Sequence, residues 1–442
     1  MNLKNKILSK FKLGSISKNV SWILFQNIYT MLLGLILTGI VARHYGTEGY
    51  GYINFGSSFV SLFSFIAIFG TNHIIMKDLS ETKFDKGTVL GSNLLVRTIL
   101  SIIALIINQV FALLMYDKKI NIIVLLFNIN TILCSLDVLV YFAQSRLQNK
   151  MISLSKIVSV TFFSISKIIV LVLDLSIEYY VITYLIETII YNILLFISYK
   201  KITKEEIIKW KIDKKYIRNL LKKSKYYAIS SLMVTIYLRI DQVMIGTLFQ
   251  DKSQVGIYSA AVRISEIWTF VPLSIITSYK PVIINSKEKN KDVYKKNLSI
   301  AYNIVSIVCF VFVVGIILFG KIGINILYGK AYASSYLPLI ILTIGIWFGV
   351  LGNIHYIWMM CENKEKYSMF YSFCGSITNI IFNMILIPKY GIFGAAIATL
   401  ISQIFSNVIS FSFFKETRIL SKLILKSFNI FNGIRCLKNK IN

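Results

Sequence analysis

The sequence has little charge, little proline and little cysteine for its length. Charged residues make up 15% of the 442 residues, whereas hydrophobic residues make up 56%, and only 4 prolines and 5 cysteines occur. A soluble domain usually carries about 25% charged residues, so this chain lacks the charge to cover a surface in water. The composition excludes an ordinary soluble enzyme and indicates that lipid surrounds most of the chain.

The cysteines and histidines are too few and too scattered for a disulfide framework or a metal cluster. The 5 cysteines form no Cys-x-x-Cys pair, and the 3 histidines lie far apart. The sequence also lacks the Gly-x-x-x-x-Gly-Lys-Ser/Thr loop that binds nucleotide phosphates. We predict no metal, no cofactor and no catalytic residue, and therefore a protein that is not an enzyme.

Acidic residues are also scarce. The chain contains 20 Asp and Glu residues and 48 Lys and Arg residues, which gives a net charge of +28. Such an excess is common in nucleic-acid-binding proteins. Here, however, most basic residues lie in short segments between apolar stretches, where the positive-inside rule explains them. We therefore expect no nucleic-acid partner.

Twelve apolar segments are long enough to cross a bilayer core of about 30 Å, and each is predicted to be a helix because backbone groups in lipid must bond internally. The segments are approximately 20–42, 50–76, 88–116, 120–145, 151–174, 178–199, 224–248, 254–283, 298–320, 334–360, 366–387 and 391–414. With the N-terminus in the cytoplasm, inside segments hold 35 of the Lys and Arg residues and outside loops hold 7. This asymmetry predicts a multi-pass protein with both termini in the cytoplasm.

The span count divides the chain into two halves of six helices, related by a parallel repeat. We predict an N-terminal lobe at 1–199, a basic cytoplasmic linker at 200–223, a C-terminal lobe at 224–414 and a basic amphipathic tail at 415–442. Gly51 and Gly256 stand beside aromatic residues at equivalent places in the two halves. The linker and tail are typical either of segments at an anionic membrane surface or of solvated basic loops.

Several spans carry polar side chains three or four residues apart, which places them on one helix face. The groups are Asn93, Arg97, Ser101, Ala104 and Asn108; Ser231, Thr235, Arg239, Gln242 and Gly246; Ser259, Arg263 and Glu266; and Gln26, Thr30, Gly34 and Thr38. Such stripes indicate a water-filled or substrate-filled lumen, while small residues alone also serve helix packing. The spacing further predicts that Arg263 pairs with Glu266. Lys156 and Lys280 lie near the cytoplasmic ends of their spans, so we expect both side chains to extend to the cytoplasmic surface.

The intramembrane cations favour an anionic cargo, because the planar guanidinium of arginine suits phosphate. Arg239 and Asp241 point about 200° apart, so we assign Arg239 to the lumen and expect Asp241 to pair with a neighbouring helix. The predicted substrate-binding residues are Arg97, Arg239, Arg263, Lys167, Asn93, Gln242 and Gln26. The predicted ion-coupling residues are Asp137, Glu187, Glu266 and Asp241.

Four motifs, in order and spacing, resemble the Wzx-type polysaccharide repeat-unit flippases of the multidrug/oligosaccharidyl-lipid/polysaccharide exporter superfamily. They are RHYGTEGYG at 43–51, YLRIDQVMIG at 237–246, VGIYSAAVR at 255–263, and LIPKYGIFGAAIAT at 386–399 preceded by Asn379 and Asn383. The resemblance spans nearly the whole chain. It implies an all-α fold with two six-helix lobes around a central cavity that opens alternately to the two sides of the membrane.

The same resemblance implies a flippase that moves undecaprenyl-pyrophosphate-linked oligosaccharide across the bacterial cytoplasmic membrane for O-antigen, capsule or exopolysaccharide assembly. H⁺ or Na⁺ counter-flow would drive it, and membrane lipids and polysaccharide polymerase machinery would be partners. The alternative is a multidrug or organic-cation exporter of the same superfamily, whose lumen should be acidic. A membrane polysaccharide polymerase fits less well, because it needs a large outside loop or an acidic cluster.

Overall fold

The computed structural model describes residues 3–80, 84–146, 148–203, 209–249, 251–364 and 366–428. The regular structure in these ranges is helical throughout, without a β-strand, which confirms the prediction of an all-α protein. The helices are α1 (Leu3–Ile68), α2 (Thr71–Ser80), α3 (Lys86–Met115), α4 (Lys118–Leu133), α5 (Val138–Ser145), α6 (Asn149–Val172), α7 (Ile177–Ile202), α8 (Lys214–Leu248), α9 (Ser253–Ile267), α10 (Phe270–Lys289), α11 (Lys291–Leu327), α12 (Tyr336–Glu362), α13 (Lys366–Ile404) and α14 (Arg418–Ser427).

Ten helical segments of the described chain are long and apolar enough to cross a membrane. Two of them, Ser21–Ile68 and Tyr367–Ser412, contain 48 and 46 residues. At 1.5 Å per residue each would extend about 70 Å, more than twice the thickness of a bilayer core. Gly46 (φ 68°) and Gly391 (φ 57°) interrupt the two segments with left-handed backbone that glycine adopts readily. Each segment therefore provides two spans, in agreement with the predicted twelve.

Several predicted spans are not continuous α-helices, and the eighth is divided at Trp268–Thr269 between α9 and α10. The second was expected to reach residue 76, but the helix ends at Ile68, where Phe69 (φ 47°) and Gly70 (φ 64°) break it before α2. A side chain on Gly70 would overlap Tyr227, which explains the glycine there. The fourth span changes to a 3₁₀ turn at Cys134–Asp137 before α5 continues. Polar residues at 71–73 follow the first break, but apolar residues at 74–76 come directly after them, so the sequence predicts one span across it.

The chain forms two compact units. Unit 1 contains Met1–His44 and Gly56–Leu232, and unit 2 contains Tyr45–Phe55 and Met233–Asn442. The predicted boundaries of lobes, linker and tail stay predictions. Residues 204–208 of the predicted linker and 429–442 of the predicted tail lie outside the described residues.

In unit 1, the core joins α2, α3, α5 and the start of α8, and includes Ile75, Leu90, Phe142 and Leu220. The segment after residue 208 lies along α3. The backbone N–H of Lys211 donates to the carbonyl oxygen of Gly87 at 3.1 Å, so this part of the basic linker is held against the helix. Glycine at 87 is required, because a Cβ there would overlap the backbone of Lys209.

In unit 2, the core joins α10, α11, α12 and the C-terminal helix α14. Leu420 and Ile424 of α14 are fully buried, and the Ser306 and Ser427 hydroxyls are hydrogen-bonded at 2.9 Å. Lys422 and Lys426 lie on the exposed side. Helix α14 is thus amphipathic, as the sequence predicts for the start of the tail.

Candidate functional site

Arg239 and Glu266 form an ion pair in unit 2. The nitrogen Nη1 of Arg239 on α8 lies 3.9 Å from Oε1 of Glu266 on α9, and each side chain is 35% exposed. Arg239 is nine residues, about 14 Å, before the end of α8, so its charge lies within the bilayer core. The predicted pairing of Arg263 with Glu266 is therefore wrong. The ion pair between α8 and α9 replaces it, and the Nε of Arg263 is buried without a hydrogen-bond partner among the described residues.

Glu266 lines a cavity of about 640 Å³ that lies entirely within unit 2. Tyr237, Asp241, Asn353 and Gln403 contribute polar groups to walls that are mostly apolar. Such a mixture, mainly hydrophobic with a few fixed polar groups, is typical of sites for small amphipathic ligands.

Asp241 lies on the other side of α8, as helical geometry predicts, and is hydrogen-bonded to neighbouring helices. Tyr258 donates its hydroxyl to Oδ2 at 2.7 Å, Asn383 donates Nδ2 to Oδ1 at 2.5 Å, and Thr399 also donates to Oδ2. Asp241 is only 4% exposed. Among the described residues no Lys, Arg or His forms an ion pair with it, so neutral dipoles alone stabilise this carboxylate.

The oxygen atoms around Asp241 form a potential cation site. Asn379 and Asn383 are fully buried, Asn383 donates to Oδ1 of Asn379 at 3.1 Å, and the Oδ1 of Asn383 has no hydrogen-bond partner among the described residues. Carboxylate, hydroxyl and amide oxygens are ligands for hard cations, and the same carboxylate can also bind a proton. The four-residue spacing of Asn379 and Asn383 could have indicated this cluster, but only Asp241 was selected from the sequence. The predicted lumen residue Gln242, adjacent on α8, is 3% exposed.

In unit 1, Arg97 is enclosed by side chains. Its Nε donates to Oγ1 of Thr71 at 2.9 Å, an Nη donates to Oδ1 of Asn72, and the guanidinium lies 5.4 Å from the ring centroid of Tyr141. Arg97 is 4% exposed. Asn93 on the same face of α3 is fully buried and donates to the Tyr216 hydroxyl at 3.2 Å. The predicted polar face of α3 is therefore the face that packs within unit 1.

Lys167 is also buried in unit 1. Its ammonium nitrogen lies 3.8 Å from the ring centroid of Phe163, 4.6 Å from that of Tyr184 and 4.9 Å from that of Tyr180. The side chain is 6% exposed. Aromatic faces stabilise a desolvated ammonium, so this contact satisfies the charge locally.

Gln26 and Asp137 line a second cavity, of about 330 Å³, within unit 1. Lys156 lines it as well, and its Nζ lies 2.7 Å from Oε1 of Glu187. The predicted extension of Lys156 to the surface is therefore wrong, because Glu187 on α7 neutralises its charge inside the membrane. Thus Arg239, Glu266 and Asp241 belong to unit 2, whereas Arg97, Lys167, Gln26, Asp137 and Glu187 belong to unit 1.

A sequence profile described as polysaccharide biosynthesis protein matches residues 16–287, and a second profile, MatE, matches residues 227–385. The first match covers more than half of the chain. The chain belongs to the polysaccharide biosynthesis protein family. The resemblance to flippases of this superfamily, inferred from the four motifs, is confirmed at the level of the family.

Two curated relatives illustrate the similarity. One, from Haloferax volcanii, is described as a probable low-salt glycan biosynthesis flippase and is 27% identical over 201 residues, 44% of this chain and 41% of the relative. The other, from Staphylococcus aureus, is described as a capsular polysaccharide biosynthesis protein and is 27% identical over 196 residues, 43% of this chain and 48% of the relative. The chain thus spans less than half the length of the curated relatives it matches.

Among solved structures, the lipid II flippase MurJ in an inward closed conformation is similar over 92% of this chain and 90% of its own, with a TM-score of 0.70 and 18% identity. At this identity the similarity establishes the fold. The described chain therefore has the same all-helical fold as that structure.

Proposed function

We propose that the protein is a flippase that carries glycans linked to undecaprenyl pyrophosphate across the bacterial cytoplasmic membrane, with both termini in the cytoplasm. The glycan would be a repeat unit for O-antigen, capsule or exopolysaccharide. Family membership and the descriptions of the Haloferax volcanii and Staphylococcus aureus relatives support the glycan as cargo. The concentration of Lys and Arg in alternate loops supports the orientation.

The observation that carries the proposal is the position of Arg239. A guanidinium that is 35% exposed within an apolar span is costly unless an aqueous or ligand-filled space receives it. A partly exposed ion pair such as Arg239–Glu266 contributes only about 0–1 kcal/mol. An incoming pyrophosphate can therefore displace Glu266 at little cost and gain the charge-assisted hydrogen bonds of the guanidinium.

Arg97 is less suited to this exchange, because Thr71 and Asn72 already accept its hydrogen bonds inside unit 1. Recruiting it would break its hydrogen bonds to the buried Thr71 hydroxyl and the half-buried Asn72 amide, and would cost about 1–3 kcal/mol. We propose that Arg239 contacts the cargo and that Arg97 maintains the arrangement of α2 and α3. The polyprenyl chain would remain in lipid, since only the charged, hydroxyl-rich headgroup meets a large barrier in hydrocarbon.

We propose that Asp241 couples transport to H⁺ or Na⁺. Its oxygen-rich, cation-free surroundings support this role better than those of Glu187, which is paired with Lys156, or Glu266, which is paired with Arg239. A carboxylate that binds H⁺ or Na⁺ has its negative charge neutralised by that cation. Binding or release of the cation can therefore alter the stability of the helices around the carboxylate.

The test is transport in reconstituted vesicles. Undecaprenyl pyrophosphate bearing one N-acetylglucosamine is placed in both leaflets, and external galactosyltransferase labels only the sugars exposed outside. In vesicles with the wild-type protein, the labelled fraction of the glycolipid should exceed the half that starts in the outer leaflet. In vesicles with Arg239→Ala, the labelled fraction should not exceed that half. Arg218→Ala is the matched control, because Arg218 lies on the same helix and is exposed. Failure of the wild type to exceed half labelling would contradict the proposal.

The MatE match to residues 227–385 and the two acidic side chains in the unit 2 cavity favour a second candidate, an exporter of organic cations. The same vesicles test it with ethidium. Ethidium efflux that depends on Glu266, without movement of the glycolipid, would select the exporter over the flippase.

A further inference from the structure

The 330 Å³ cavity inside unit 1 has a composition different from that of the larger cavity in unit 2. Its walls come from α1, the 3₁₀ turn Cys134–Asp137, α5, α6 and α7. Most of its lining side chains can form hydrogen bonds, and the volume is at the lower end of the range of about 300–1,000 Å³ for small-molecule sites. A cavity of this size suits a single ring rather than a whole oligosaccharide.

Two polar atoms on the wall are buried without a hydrogen-bond partner among the described residues. They are the Oγ of Ser153, which is fully buried, and the Oδ1 of Asn149, one turn earlier on α6. Gln26, Asp137 and Gln144 line the same cavity and are half-buried. Because an unsatisfied buried polar group costs about 1–3 kcal/mol, this arrangement indicates a ligand that supplies the missing hydrogen bonds.

The charges of the cavity argue against a phosphate in this position. The cation on its wall, Lys156, is neutralised by Glu187 at 2.7 Å, and Asp137 adds a carboxylate that would repel an anion. Arg97, behind the ring of Tyr141, is engaged by Thr71 and Asn72. The open hydrogen-bonding capacity is therefore that of amides, hydroxyls and one carboxylate.

This set matches the hydroxyl groups of a sugar. A carboxylate accepts from two hydroxyls at once, and a side-chain amide can donate to one hydroxyl while accepting from its neighbour. We propose that the unit 1 cavity binds one sugar ring of the transported glycan, with Gln26, Asp137 and Gln144 as its principal contacts. The inference rests on the proposed flippase function and deepens it, because it names the residues of unit 1 that would contact the sugar part of the cargo.

The experiment measures equilibrium binding of two radiolabelled lipids to the purified full-length protein. The lipids are undecaprenyl pyrophosphate and the same lipid bearing one N-acetylglucosamine. The wild type should bind the sugar-bearing lipid about tenfold more tightly, a difference of about 1.4 kcal/mol. Gln26→Met with Gln144→Met, which keeps side-chain size and helix propensity, should abolish the difference and leave binding of the bare lipid unchanged.

Controls separate the two hypotheses. Gln148→Met, an exposed glutamine beside the cavity helix, should keep the preference for the sugar-bearing lipid. If the wild type binds both lipids equally, or the double variant retains the preference, the sugar subsite is refuted while the flippase proposal stands. If the wild type binds neither lipid, both proposals are refuted.

Discussion

Gly51 and Gly256 pack reciprocally within unit 2. A Cβ on Gly51 would overlap the carbonyl oxygen of Lys252, and a Cβ on Gly256 would overlap the carbonyl oxygen of Thr47. The two glycines thus allow the backbones of α1, just after its interruption at Gly46, and α9 to touch. These are the two residues that occupy equivalent places in the sequence halves, so the weak repeat in the sequence corresponds to a direct contact in the fold.

Replacement of either glycine by alanine should destabilise unit 2, because the obstructing atoms are backbone atoms that cannot rotate away. We expect Gly51→Ala and Gly256→Ala each to lower the melting temperature by several degrees. Gly315→Ala is the matched control: nothing lies within 4 Å of its would-be Cβ, and alanine is favoured over glycine in a helix by about 1 kcal/mol. Equal melting temperatures for all three variants would show that the glycine contact is not tight.

Sequence patterns predicted the parts of the fold that depend on local periodicity. The twelve spans follow from apolar length, and the shared face of Asn93, Arg97 and Ser101 follows from helical spacing; all three side chains are buried. The environment of that face could not be predicted in the same way. Thr71 contacts Arg97 only because the chain breaks at Phe69 and Gly70, and the position of α2 after this break depends on tertiary packing.

The candidate site shows the same limit on sequence inference. Asp241 is hydrogen-bonded to neighbouring helices, as expected. This could be predicted because the opposite orientation of Arg239 and Asp241 depends only on the geometry of α8. The partner of Glu266 is determined by the packing of α8 against α9. Its pairing with Arg239 rather than Arg263 therefore required tertiary structure.

Arg97 and Arg239 should differ when each is replaced by alanine. Arg97→Ala removes the donor to Thr71 and Asn72, and we expect a loss of about 1–3 kcal/mol in the free energy of unfolding. Arg239→Ala should leave the melting temperature nearly unchanged while transport is lost. The check is thermal unfolding and vesicle transport measured on the same preparations. A stable Arg97→Ala variant without transport would instead place Arg97 in the cargo path.

The Lys156–Glu187 pair should respond to single and double substitution differently. Glu187→Gln leaves the half-buried ammonium of Lys156 without its counter-charge, which should destabilise the protein by about 2–3 kcal/mol, somewhat below the cost for a fully buried pair. Replacing both residues by methionine removes both charges and should restore most of the lost stability. Thermal unfolding of the wild type and the two variants tests this. A double variant less stable than Glu187→Gln would show that Glu187 does not offset the charge of Lys156.

Asp241→Asn should uncouple transport from the ion gradient. The amide keeps the size of the side chain and most of its hydrogen bonds to Tyr258 and Thr399, but it carries no charge to exchange for Na⁺ or H⁺. We expect downhill movement of the glycolipid to continue while its acceleration by an imposed Na⁺ or pH gradient disappears. Asp251→Asn, at an exposed position after α8, is the control. Full gradient dependence in Asp241→Asn would remove this residue as the coupling group.

The most direct test of the account is whether Arg239 meets an anionic lipid headgroup within the membrane. A cysteine is placed at position 239 in a chain whose 5 native cysteines are replaced by serine, and labelling by a membrane-impermeant maleimide is measured with and without undecaprenyl pyrophosphate. We predict that a cysteine at 239 is labelled, that the lipid slows this labelling several-fold, and that a cysteine at 97 is not labelled. If the cysteine at 239 is not labelled, or if the lipid does not change its labelling, the proposed contact between Arg239 and the headgroup is contradicted.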